Sequence, residues 1–106
     1  MKITNTEQIS GYKITQHMFL VTGNVVHSKH IGRDIIAGIK SIFGGEIGGY
    51  SEMLKEARSV AQSRMVHQAR LLEADGVINV RFSTSTIAPG VSEILAYGTA
   101  VQLAME

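Results

Sequence analysis

The sequence predicts an α+β fold: a three-stranded antiparallel sheet covered by one long helix, with a short helix before it. Three observations predict it. Apolar residues recur at helical spacing over one long stretch, from Tyr50 to about Ala74. On either side of it, Tyr12 to His27 and Val77 to Leu103 are rich in β-branched and aromatic residues that favour a pleated surface. The second of these regions is divided by Pro89-Gly90, which suits the two central positions of a type II turn.

The elements follow in order. Residues 1–10 carry little pattern and read as a tail or a short edge strand, and Gly11 breaks the chain before the first long strand, Tyr12 to His27. Gly23-Asn24 inside that strand reads as a bulge or bend, because apolar residues resume at once. After Ser28 the period changes: Ile31, Ile35, Ile39 and Ile42 recur at helical spacing, with Arg33, Ala37 and Lys40 opposite. This short amphipathic helix ends at Gly44-Gly45, and a flexible loop runs on through Gly48-Gly49. The long helix carries its apolar stripe on Met53, Leu54, Ala57, Val60, Ala61, Met65, Ala69 and Leu72. Asp75-Gly76 is the expected stop, since glycine accepts the left-handed conformation that closes a helix. Val77 to Thr86 alternates Ile78, Val80 and Phe82 with polar residues, and Val91 to Leu103 is the final strand.

A tight turn on Pro89-Gly90 pairs Phe82 with Tyr97, Val80 with Thr99 and Ile78 with Val101. It thereby sets that large apolar face under the long helix. The final strand then lies between the other two, giving the order 1-3-2. Ile94, Ala96, Gly98 and Ala100 fall on the reverse face, beside Arg81 and Asn79. One helical layer covers one face of a sheet, so this small, partly apolar reverse face is expected to meet another subunit.

Composition narrows the function. The chain has 106 residues, the size of a single domain spanning 1–106. A formal net charge of +1 supplies no bulk attraction to nucleic acid or to a membrane surface. Three Phe, three Tyr and no Trp argue against a stacking platform for single-stranded nucleic acid. With no Cys, disulfides, thiolate nucleophiles and the softest metal ligands are excluded. Met1 to Ser10 lacks the apolar core of a signal peptide and no run has the length of a membrane span, so a cytoplasmic protein is expected.

Several segments together resemble one family. They are Val21-Thr22-Gly23-Asn24-Val25-Val26, Ile31-Gly32-Arg33-Asp34-Ile35, Ala37-Gly38-Ile39-Lys40-Ser41-Ile42, Gly44-Gly45-Glu46 and Tyr50-Ser51-Glu52-Met53-Leu54 with Glu56-Ala57-Arg58. Ala74-Asp75-Gly76-Val77 and Ala96-Tyr97-Gly98-Thr99-Ala100-Val101 continue the match over nearly the whole chain. The combination resembles the YbjQ family of uncharacterised bacterial proteins, which carries a heavy-metal-binding label. The resemblance implies a dodecin-like strand-helix-strand-strand subunit assembled into a homo-oligomeric ring, a pentamer.

The residues offer one metal candidate, His27-Ser28-Lys29-His30 with Asp34 four residues beyond His30. Residues three or four apart share a helix face, so His30 and Asp34 converge on a helical turn. Imidazole and carboxylate suit zinc, nickel or copper(II), which makes a divalent metal ion the candidate cofactor. The bland reading is a polar strand-to-helix junction in which Asp34 pairs with a neighbouring Arg or Lys. Arg33, Asp34, Lys40 and Glu46 form a mixed polar cluster that is the candidate ligand site. Its bland reading is a solvated helix face, or ion pairs between subunits. His17 and His67 are isolated and read as surface or interface residues. Gly44 to Gly49 resembles a phosphate cradle at a helix start. It follows a helix rather than a strand and lacks the Gly-Lys-Ser/Thr sequence, so it reads as a hinge. No serine sits in a nucleophile elbow, and no catalytic residue is assigned. The expected function is a ring-forming homo-oligomeric binding protein for a metal ion or small ligand. The alternatives are a small enzyme with Arg33, Asp34 and Glu46 in an active site shared between subunits, and a purely structural or partner-binding ring.

Overall fold

A computed structural model describes residues 1–28 and 48–106. Their elements are β1 (Lys2–Ile3), β2 (Tyr12–Ser28), α1 (Gly48–Leu71), β3 (Gly76–Ala88) and β4 (Val91–Met105). The short helix expected after Ser28 and the loop residues Gly44 and Gly45 lie outside the described residues. Gly48 and Gly49, expected in that loop, are instead the first two residues of α1. Among the described residues no helix is long and apolar enough to cross a membrane.

The sheet has four strands rather than three, in the order β1-β3-β4-β2. The long strands keep β4 in the middle, antiparallel to both β2 and β3. The added strand is β1, which lies parallel to the start of β3 and makes the sheet mixed. Two residues, one of them Lys2, give no alternation for a sequence pattern to detect. The strand is held by its neighbours: Thr4 N–H donates to the Val77 carbonyl and Val80 N–H to the Thr4 carbonyl, each at 3.0 Å.

Pro89-Gly90 makes the turn, with Gly90 at φ 73 as the third position of a type II turn requires. Ala88 faces Val91 at its base, but the register shifts between Thr86 and Ala88 and again between Ile78 and Arg81. Phe82 therefore pairs with Ala96, Arg81 with Tyr97 and Ile78 with Thr99, not with the partners expected from the turn. A slip of one residue moves a strand's side chains to the opposite face. The slip sets Phe82 beside Ala96 instead of Tyr97. Independently of it, the helix covers the small-residue face of β4: Ile94, Ala96 and Ala100 are buried in one cluster with Val21, Val77 and Val80 and with Ala57, Ala61, Met65, Val66 and Ala69 of α1. Ala96 is fully buried within its own subunit, which overturns its expected place on a subunit contact. Phe82, expected in the core, is 42% exposed.

Gly23 explains why the face is small. A Cβ at this position would collide with the carbonyl oxygen of Ala61 and the amide of Met65. Gly23 faces Ala96 across the β2–β4 pair. The glycine thus lets the α1 backbone settle onto the sheet, and it is not a bulge: the irregularities of β2 lie between Ile14 and Gln16 and between His17 and Leu20. The end of α1 also differs from the expected glycine stop. Glu73 takes the left-handed conformation at φ 60. Its N–H donates to the Arg70 carbonyl and Ala74 N–H to the Ala69 carbonyl, the paired bonds of a Schellman close. Gly76 instead opens β3.

Candidate functional site

The residues expected to bind a metal or ligand are mostly beyond the described part of the chain. His27 stands near the end of β2, its backbone opposite Ser92 of β4. His30, Arg33, Asp34, Lys40 and Glu46 lie outside the described residues, and so does any contact among them. Among the described residues no three His, Asp or Glu side chains are grouped to hold a metal ion. His17 and His67 are both exposed, as expected of surface residues.

What the described residues do present is the face of the sheet turned away from α1 and its two open edges. Val21, Gly23 and Val25 alternate toward the helix, so Leu20, Thr22, Asn24 and Val26 point to the reverse face. Across the pair, Leu95, Tyr97 and Thr99 share that face, and on β3 Arg81, Ser83 and Ser85 continue it. Leu20 is 68% exposed and Val26 51%, while Phe19 beside the β2 irregularity is 65% exposed. Asn24 and Glu93 tie this face together across the strands, with Asn24 Nδ2 donating to Glu93 Oε2 at 3.0 Å.

The outer edge of β2 is partly capped by α1. Thr22 N–H donates to Gln68 Oε1 at 2.9 Å, and Arg64 Nη1 donates to the Asn24 carbonyl at 2.6 Å. Backbone groups of alternate residues in a strand point the same way, so Val26 also turns its N–H and carbonyl outward, beyond these caps. On the far side, β1 and the segment after it cover β3 as far as Val80. From Arg81 to Pro89 every residue is exposed. An edge strand left open in this way is a template for pairing with another chain. Sequence reasoning missed the capping pair Arg64 and Gln68. Their i, i+4 spacing on α1 was the available signal, since such residues share one helix face.

Comparison with known proteins bears on the whole chain. A family model described as "Putative heavy-metal-binding" matches residues 1–104. A UPF0145 protein of Thermotoga maritima is 57% identical over 103 residues, 97% of each chain. A UPF0145 protein of Vibrio campbellii is 58% identical over 97% of this chain and 99% of its own. One from Halorubrum lacusprofundi is 52% identical with the same coverage. Among solved structures, a protein of unknown function of the DUF74 family from Pediococcus pentosaceus superposes with a TM-score of 0.60 over 98% of each chain. At 21% identity it bears on the fold alone.

Proposed function

The chain belongs to the YbjQ family, also named UPF0145, and from that premise we propose that it is the subunit of a homo-oligomeric ring that binds a metal ion or small ligand. The observation that carries the assembly is the uncovered reverse face, where Leu20, Val26, Leu95 and Tyr97 have no second layer among the described residues. The radius of gyration supports it: 17.0 Å, against about 13 Å for a compact chain of this length. A subunit this drawn out exposes more surface than a compact one of the same length. Five is the subunit number that the family resemblance implies. A ring of identical copies needs a head-to-tail contact, and among the described residues the end of β2 at Val26 and the stretch of β3 after Val80 are two different open edges that could supply one. Native mass spectrometry of the protein purified from cell extract tests this. A five-subunit mass is expected, and a monomer at micromolar concentration overturns the assembly.

The ligand half of the reading rests on His27, His30 and Asp34, together with the family description. The described residues supply no alternative metal set. Imidazole and carboxylate groups at these positions would hold zinc or nickel at neutral pH and release it near about pH 5, as the imidazoles take up protons. Calorimetry with zinc or nickel on the wild type and on His27→Ala/His30→Ala decides it. Loss of the binding heat in the double variant is expected, and equal heats remove these residues from the reading.

A further inference from the structure

We propose that the cleft between the N-terminal segment and the reverse face of the sheet binds a small zwitterion of the α-amino acid class. The cleft lies within one subunit and uses no residue of the His27–Glu46 segment, so it stands whether or not that segment holds a metal. Its volume is about 540 Å³, within the range of small-molecule sites.

Backbone hydrogen bonds build it. Asn79 N–H donates to the Thr6 carbonyl and Val80 N–H to the Thr4 carbonyl, each at 3.0 Å, so the N-terminal segment is pinned across the edge of β3. That segment carries Glu7 as one wall. The start of β2 is the other wall, with Lys13 and His17 lining the space. Ile78, 2% exposed, and Thr99 line it from the middle of the sheet. Three irregularities of the sheet meet here. β2 shifts register on both sides of the Gln16–His17 pair, and β3 shifts between Ile78 and Arg81, where Asn79 sits at φ 53. Bulges re-aim side chains, and left-handed conformations of residues other than glycine gather at ligand sites.

The chemistry of the lining selects the ligand. The side chains of Glu7, Lys13, His17, Asn79 and Thr99 make no hydrogen bond to another described residue. Lys13 on one wall suits a carboxylate, with His17 beside it. Glu7 on the other wall, and Glu106, which also lines the cleft, suit an ammonium group. Asn79 and Thr99 add neutral donors and acceptors next to the apolar Ile78. A ligand with one sign of charge would satisfy either Lys13 or the two glutamates and face an unpaired like charge from the rest. An α-amino acid carries both charges on groups attached to one carbon and can turn its side chain toward Ile78.

The test is a titration of the full-length ¹⁵N-labelled protein with L-amino acids, followed by amide chemical shifts. Acetate and methylamine serve as single-charge controls. Saturable shifts are expected at Ile78, Asn79, Val80 and Thr99, with both controls at least tenfold weaker. Glu7→Gln and Lys13→Gln should each weaken binding about fivefold to tenfold, the loss of one charge-assisted contact. No saturable shift up to about 10 mM, a range beyond the weakest useful affinities, overturns the proposal. So does acetate or methylamine binding as tightly as any amino acid, or unchanged affinity in both variants. Sedimentation of the same samples reports assembly separately, so loss of the ring and loss of the ligand are read apart.

Discussion

Gly23→Ala adds one methyl group where the structure leaves no room for it. The position is free of backbone strain, since Gly11 and Gly90 are the glycines with positive φ among the described residues. Alanine there would by itself stabilise the protein by roughly 0.4–1 kcal/mol, through the unfolded chain. Against this, the new Cβ meets the Ala61 carbonyl oxygen, the Met65 amide nitrogen and, at 2.8 Å, the Arg64 carbonyl carbon. All three are helix backbone, so no change of rotamer relieves the clash. The helix must lift from β2 by roughly an ångström, because packed interiors hold no slack to absorb a methyl group. That movement loosens Ala61 and Met65, both fully buried, from Val21, Ile94 and Ala96.

Overpacking costs about 1–3 kcal/mol, and a rigid backbone neighbour places this case at the upper end. The net loss after the entropic gain is about 2 kcal/mol. With a urea m-value of about 1–1.5 kcal/mol/M for a chain this short, the midpoint should fall by about 1.5 M. Urea unfolding followed by circular dichroism measures it, at one fixed protein concentration because assembly shifts apparent stability. A midpoint equal to or above the wild type would refute the close approach of α1 to β2, and with it the assignment of the small-residue face to the helix.

Three further outcomes follow from the same packing. Ala96→Glu buries an unpaired carboxylate under the subunit's own helix, at a cost of several kcal/mol; it should lose helical circular dichroism, and a folded variant that merely sediments as smaller species would contradict the register. Leu20→Asp/Val26→Asp changes two exposed positions on the reverse face, so the fold should hold within about 0.5 kcal/mol while sedimentation velocity shows smaller species; an intact assembly would place the subunit contact elsewhere. Arg64→Ala removes the donor to the Asn24 carbonyl, and a loss of about 1–2 kcal/mol in thermal or urea unfolding is expected; an unchanged protein would mean that water replaces the cap at no cost.

Much of this architecture is legible in the residues. The stripe from Met53 to Leu72 marks α1, Pro89-Gly90 marks the hairpin, and the hairpin with the long first strand places β4 in the middle. What escaped has physical causes. β1 is too short for periodicity, and its pairing with β3 is long-range. The glycines mislead because a glycine signals either backbone freedom or close approach, and sequence does not say which. Gly23 suggests a bend and Gly76 a helix stop, yet a Cβ on either would strike backbone, the Lys2 carbonyl in the case of Gly76. For the candidate metal and ligand residues, the described part of the chain reaches His27 and stops before His30.

The inversion of the two faces teaches more than the other differences. Alternation fixes which residues share a face, but it leaves open which face is inside. A stripe of small residues fits a neighbouring subunit and fits the protein's own helix equally well. The surface of the helix decides between them here. The helix side of the contact is itself small, with Ala57, Ala61 and Ala69 facing Gly23, Ala96 and Ala100. Small residues on both sides bring backbones close and gain dispersion contacts over many atoms, which compensates for the missing large side chains. The larger residues, Leu20, Leu95 and Tyr97, are thereby sent to the reverse face, where the described chain provides no cover. One helical layer covers one face of the sheet in either arrangement, and the face left open here carries larger apolar residues than the stripe of Ala96, Gly98 and Ala100.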